Sequence, residues 1–278
     1  MKKLTTLTIA LFFTAGMAFA QNNDADVSQT GNDNEAAVAQ TGSDNEVNLE
    51  QVHTYSLGSL GINTADIEQI GTGNSADVYQ LNRGQYAAAG LNNSLDLLQE
   101  GIENSAVIHQ GIARGNDIKL SQLGTENIAD ISQHQGGKLS GYGSAERAVQ
   151  NGEGNELNLS MGNFNRAGVT QDGDFNTADV RQNGFSADNV QLLQEGNDNE
   201  VLLAQSGGTA DIQQIGLGEN ILNGLAGLGS TANQSGGASM SVVQDGFDNT
   251  LFIGQDGAHS AAVDQMGDSN TATVSQSN

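Results

Sequence analysis

The chain has 278 residues, with 33 acidic against 9 basic side chains for a formal charge of −24, and no cysteine, proline or tryptophan. That charge sets aside nucleic acid and anionic membrane as partners, since binding either rests on Lys and Arg neutralising phosphate, and the missing cysteines set aside a disulfide framework. With 4% aromatic residues, 37 glycines and a mean hydropathy of −0.37, little apolar surface remains for a globular core, so the chain stays disordered unless another kind of order offsets its entropy.

Residues 1–20, MKKLTTLTIALFFTAGMAFA, set Lys2 and Lys3 ahead of an apolar run and close on Ala18-Phe19-Ala20, the small-x-small pattern of a signal-peptidase site. This predicts a cleaved signal peptide and a mature chain from Gln21 with a charge of −26, the −24 of the full chain less Lys2 and Lys3. The run Leu7–Phe13 is too short to span a bilayer, and no later segment reaches the roughly 18–20 apolar residues of a membrane helix. Residues 21–278 are expected to form one exported domain, soluble or extracellular, without membrane insertion.

From Asn23 onward one frame recurs, first as Asn23-Asp24-Ala25-Asp26-Val27-Ser28-Gln29. Anchored on glutamine, it passes through Gln29, Gln40, Gln51, Gln69, Gln80, Gln99, Gln110, Gln122, Gln133, Gln150, Gln171, Gln182, Gln194, Gln205, Gln214, Gln244, Gln255, Gln265 and Gln276, with Met161 in the slot between Gln150 and Gln171. Many steps are 11 residues, and self-similarity at a short fixed period marks a repeat architecture. Six residues before the glutamine usually stands asparagine: Asn23, Asn34, Asn45, Asn63, Asn74, Asn93, Asn104, Asn116, Asn127, Asn165, Asn176, Asn199, Asn249 and Asn270.

Between them lie small and larger apolar residues, as in Ala25/Val27, Ala65/Ile67, Leu95/Leu97, Ala129/Ile131 and Val201/Leu203. Period-two spacing puts asparagine, both apolar residues and glutamine on one face of a strand, and Asp26, Ser28, Glu35, Asp66, Asp130, Asp179 and Arg181 on the other. Two residues after the glutamine comes glycine, at Gly31, Gly42, Gly71, Gly101, Gly124, Gly173, Gly184, Gly196, Gly216, Gly246, Gly257 and Gly267, where a tight reversal needs positive φ. A helix fits neither this spacing nor a glycine in every period.

A seven-residue strand and a four-residue corner, taken twice, bring the chain round once in 22 residues. The fold class predicted is all-β: a two-sheet β-solenoid, a cross-β stack of about ten ~22-residue turns, about 48 Å long at roughly 4.8 Å per turn. Inward amides left unpaired would each cost about 1–3 kcal/mol, but identical amides one turn apart can bond along the axis as ladders. Stability then comes from neighbour-to-neighbour stacking, and the missing proline fits, because proline removes a ladder donor.

The count breaks near 52–62, 82–92, 135–145 and 222–237, stretches rich in Gly, Ala, Ser and Leu that read as loops budding from corners, with Gln234 a candidate anchor of a degenerate unit in the last. His53, His109, His134 and His259 are scattered without a second ligand at metal spacing. The Asp-rich corners at 32–34 and 197–199 lack the glycine-aspartate frame of calcium-binding β-rolls. Gly152-Glu153-Gly154 and Gly216-Leu217-Gly218 have no strand-to-helix context for a phosphate cradle, and the carboxylates recur outward like a solvated face. No catalytic, cofactor-binding or metal residue is assigned, and no enzyme activity is expected.

The frame begins beside the predicted mature N-terminus and runs to Gln276, so neither end is expected to carry a cap. Terminal strands would then expose unpaired N–H and C=O rows that template another copy, and a head-to-tail contact that does not close makes a filament.

The frame Gln-x-Gly-x-x-Asn-x-Ala-x-x-x-Gln, present as Gln29…Gln40 and Gln69…Gln80, resembles the curlin repeat of curli subunits, which form bacterial amyloid fibres in biofilms. The resemblance covers most of the mature chain. It implies a secreted structural protein that self-assembles head-to-tail into pilus-like cell-surface fibres for biofilm matrix and cell adhesion. It also implies an outer-membrane export channel and a nucleator or companion fibre subunit as partners. The chain departs from curli major subunits in having about twice as many units and no Gly/Asn-rich leader before Asn23, which leaves major and nucleator roles both open. The third reading is a monomeric β-solenoid adhesin binding a surface or carbohydrate, for which the outward positions repeat no recognition residue.

Overall fold

The computed structural model describes residues 22–31, 33–54, 62–83, 92–111, 116–134, 138–140, 147–162, 165–183, 188–224 and 231–277. The predicted signal peptide lies outside the described residues. Among those described, all regular structure is extended. The strands are β1 (Asp24–Thr30), β2 (Asn34–Ser43), β3 (Glu46–Thr54), β4 (Asn63–Thr72), β5 (Ser75–Arg83), β6 (Asn93–Ile102) and β7 (Ser105–Gln110). There follow β8 (Asp117–Thr125), β9 (Ile128–Gln133), β10 (Lys138–Ser140), β11 (Ala148–Glu153), β12 (Glu156–Met161), β13 (Arg166–Asp172) and β14 (Thr177–Gln182). The last are β15 (Asn189–Asn197), β16 (Glu200–Leu217), β17 (Ile221–Asn223), β18 (Ala232–Asp245), β19 (Thr250–Asp256), β20 (Ser260–Met266) and β21 (Thr271–Ser277).

All pairing is parallel and keeps the repeat in register, so that Gln29 lies opposite Gln51, Gln51 opposite Gln80 and Gln80 opposite Gln110. The strands wind into two faces. The first face stacks β1, β3, β5, β7, β9, β12, β14, the start of β16, β17 with the start of β18, β19 and β21, eleven layers. The second stacks β2, β4, β6, β8, β10 with β11, β13, β15, the end of β16, the end of β18 and β20, ten layers. The expected two-sheet solenoid is therefore present, as ten and a half turns.

Twenty anchored layers were predicted, and the twenty-first is the one at Gln234, which stands in register with Gln205 and Gln255. Within the four stretches predicted as insertions, Val52–Thr54 continues β3, Asn82 and Arg83 end β5, Lys138–Ser140 is β10, and Leu222 and Asn223 end β17 while Ala232 onward belongs to β18. Residues 55–61, 84–91, 135–137, 141–146 and 225–230 lie outside the described residues. β10 and β11 share one layer of the second face, and β17 and β18 share one layer of the first, so each of these layers is built of two strand segments with a break between them. A face can take such a break because the layers above and below hold the strand on both sides of it in register.

Alternation places Leu49, Ile67, Ile108, Leu120, Ile131, Leu192 and Ile212 between the faces, each 0% exposed. The ladder amides are buried beside them, at 0% for Asn74, Gln99 and Gln122. The core residues that are only partly buried belong to the end layers, namely Ala25, Val27, Ala36 and Val38 at one end and Val263, Ala272 and Val274 at the other.

Candidate functional site

The chemistry of this molecule is concentrated in four columns of side-chain amides and in the two corners that carry them. The corner leading from the second face to the first is uniform: Gln40 to Asn45, Gln69 to Asn74, Gln99 to Asn104, Gln122 to Asn127, Gln150 to Asn155, Gln171 to Asn176, Gln194 to Asn199, Gln244 to Asn249 and Gln265 to Asn270 each span five residues, and Gln214 to Asn220 spans six. We term it the smooth edge. The opposite corner changes length at almost every turn; we term it the decorated edge.

On the second face the glutamine ladder is unbroken. The Nε2 of each glutamine donates to the Oε1 of the next, from Gln40 through Gln69, Gln99, Gln122, Gln150, Gln171, Gln194, Gln214 and Gln244 to Gln265, at 2.8–3.0 Å. The second hydrogen of each amide reaches backbone, as Gln99 Nε2 does to the carbonyls of Ser75 and Asn104 at 2.9 and 3.1 Å. Because the primary amide has two donors and an acceptor, one glutamine ties two layers and the corner together.

The asparagines at the far end of the same corner form the second unbroken column. Each Nδ2 donates back to the Oδ1 of the preceding turn, from Asn270 through Asn249, Asn220, Asn199, Asn176, Asn155, Asn127, Asn104, Asn74 and Asn45 to Asn23, at 2.9–3.2 Å. Several also donate to the corner glycine one turn on, as Asn104 does to the carbonyl of Gly124 at 3.0 Å.

The two columns at the decorated edge are incomplete. The first-face glutamine ladder joins Gln29, Gln51, Gln80 and Gln110 at 2.6–2.7 Å and Gln255 to Gln276 at 2.7 Å, while Gln182 reaches Gln205 at 3.4 Å. Met161 sits between Gln133 and Gln182, and the buried Oε1 atoms of Gln133, Gln182, Gln234 and Gln255 and the Nε2 of Gln205 have no partner. The second-face asparagine column joins Asn34, Asn63, Asn93 and Asn116 at 2.9–3.0 Å; beyond it Asn165 Oδ1 accepts from the backbone of Asp188, and the next slots hold Gly208, Ala238 and His259.

The corner glycines explain why the smooth edge is uniform. Gly42, Gly71, Gly101, Gly124, Gly152, Gly173, Gly196, Gly216, Gly246 and Gly267 have φ between 91° and 145°, a region closed to other residues. A Cβ on any of the first nine would collide with the carbonyl of the glycine one turn on, so the backbones of successive corners are in direct contact. Except at Asn220, the residue before each of these asparagines is left-handed too, as at Asp44, Glu103, Phe175 and Asp248 with φ of 55–58°. On the decorated edge Gly31 and Gly257 also have positive φ, at 99° and 109°; Gly184 lies outside the described residues.

Asn155, Asn220 and Gly152 belong to these columns although the spacing rule did not assign them. Asn155 does stand six residues before the Met161 slot and Gly152 two after Gln150, so the signal was there once methionine was accepted as an anchor. Asn220 follows a corner one residue longer than the rest, which hid it from a fixed spacing.

Two end faces complete the site. Among the described residues β1 and β2 pair only with β3 and β4, and β20 and β21 only with β18 and β19. At the N-terminal face no glutamine of a preceding layer donates to the Oε1 atoms of Gln29 and Gln40, and Asn23 Nδ2 has no partner. At the C-terminal face Gln265 and Gln276 each donate to one backbone carbonyl and have no further glutamine above them.

No curated protein matches the chain. Two stretches, residues 20–52 and 90–124, match the curlin associated repeat, and they contain β1 and β2 with most of β3, and β6 and β7 with most of β8. The same frame is stacked in register beyond both stretches, so the match is to the repeat that builds the fold.

Proposed function

We propose that the protein is a secreted structural subunit that assembles head-to-tail into curli-like amyloid fibres at the cell surface, serving adhesion and biofilm matrix. One observation supports this above the others: the two end faces are complementary. The N-terminal face presents glutamine acceptors and an asparagine donor, and the C-terminal face presents glutamine donors and the acceptor Oδ1 of Asn270, so donors meet acceptors only when unlike ends meet. Partly exposed core residues on both faces add apolar area that such a contact would cover. Unlike ends joined repeatedly make an open filament.

The test is to purify the mature chain, leave it at neutral pH and examine it by electron microscopy and fibre diffraction. Fibres with a meridional reflection near 4.7 Å and an equatorial one near 10 Å are expected. A monomer that persists for days without dye-binding fibres would remove the reading.

A further inference from the structure

We propose that a second copy seats on the C-terminal face only after a half-turn about the stacking axis, its β1 on β20 and its β2 on β21. The inference rests on the assembly reading above and specifies the geometry of its joint.

The first ground is the layer count. Both β1 and β21 lie in the first face, which has eleven layers against ten in the second. The layer due after β21 therefore lies in the second face, on β20. A copy added without rotation would put its β1 on β21 and its β2 two spacings above β20, roughly 9.6 Å instead of 4.8 Å, leaving a row of backbone groups unpaired. A half-turn fills that slot with β1 and restores the spacing on both faces.

The second ground is the shape of the first corner. Rotated in this way, the corner between β1 and β2 leaves its own decorated edge and lies over the smooth edge of the copy below. It is built for that place. Gln29 to Asn34 spans five residues, with Gly31 at φ 99° and Asp33 at φ 60°, and it would sit on Gln265 to Asn270, also five residues, with Gly267 at φ 91° and Ser269 at φ 58°. The neighbouring decorated corners have other lengths: Gln51 to Asn63 spans twelve residues, Gln80 to Asn93 thirteen, and Gln255 to His259 four.

The third ground is the amide pattern. The seating puts Gln29 on Gln265 and Gln40 on Gln276, continuing both glutamine ladders, and Asn34 on Asn270, continuing the long asparagine column. It also brings Asn23, whose Nδ2 has no partner, into register with His259, whose Nε2 has none. Each added copy would present its decorated edge above the smooth edge of the last.

The joint can be trapped with cysteines, since the protein has none of its own. Under the half-turn Ser28 lies over Asp264; without rotation it lies over Ser275. Stacked neighbours are close enough for a disulfide, whose Cα atoms lie about 4.4–6.8 Å apart. Fibres of a Ser28→Cys, Asp264→Cys variant, oxidised with copper phenanthroline, should run as a ladder of linked oligomers on a non-reducing gel. Those of Ser28→Cys, Ser275→Cys should stay monomeric. The opposite result, or no linkage in either variant, overturns the half-turn while leaving head-to-tail assembly in place. Failure of the unmodified chain to form fibres overturns both. An image reconstruction should show a subunit rise of about 50 Å with a rotation of about 180°, beyond the gradual twist of the stack.

Discussion

The smooth and decorated edges are made from one repeat and differ in the number of residues between glutamine and the next asparagine, and in the decorated-edge slots where Met161, Gly208, Ala238 and His259 replace an amide. Where that number is five in every turn but the one from Gln214 to Asn220, two amide columns run the whole length of the stack and successive glycine corners touch. Where it varies, both columns break and several buried amide atoms go without partners. The comparison teaches that order here is collective. A corner is held less by its own residues than by having an identical corner above and below it, so one edge can tolerate insertions as long as the other does not.

The largest break in this comparison should come from the glycine corners. Gly101→Ala puts a Cβ against the carbonyl of Gly124 at φ 128°, and the backbone has no room to yield. A loss on the order of 4 kcal/mol is expected in urea unfolding of freshly prepared monomer. Gly237→Ala on the decorated edge, at φ 80° with nothing within 4 Å, should lose only about 1 kcal/mol. Equal losses at the two positions would show that corner contact is not what distinguishes the edges.

A smaller contrast separates the ladders. Gln122→Leu strands the amides of Gln99 and Gln150 and the carbonyls of Ser105 and Asn127, for a loss of about 3 kcal/mol. Gln205→Leu removes a residue whose Nε2 is already unpaired and should lose about 1 kcal/mol or less. The reverse change, Met161→Gln, offers Gln182 Oε1 a donor and should stabilise the chain by about 1 kcal/mol; a destabilised variant would mean that the break is held open by packing rather than by the missing amide.

The smallest effect is electrostatic. Burial pushes the Glu200 carboxyl above its usual 4.5, with Glu219 adding to the rise and a hydrogen bond from Asn223 opposing it. A carboxyl raised in the folded state favours the fold while it is protonated, and that stability is lost as pH rises from about 4.5 through the raised value. Glu200→Gln should therefore gain on the parent between about pH 4 and pH 7. A difference that stays flat over that range would show that ionisation of Glu200 carries no penalty in the fold.

Much of this is legible in the sequence. Strand, corner and inward residues follow from the period of two and the period of 11, because both act within a few residues. What the sequence concealed is non-local. It does not show that one corner keeps nearly the same length throughout and the other does not until the chain is wound and residues about 22 apart become neighbours. Gln234 is legible only as the candidate anchor of a degenerate unit, and Asn220 escapes a fixed spacing because its corner is one residue longer than the others.

The direction of the ladders has a last consequence. Glutamine columns donate toward the C-terminal face and asparagine columns toward the N-terminal face, so their dipoles oppose each other. An α-helix aligns its peptide dipoles and ends in opposite partial charges. This stack lengthens without accumulating poles, and the thousandth turn meets the same field as the tenth. Growth of that kind meets no mounting ladder dipole at its tip.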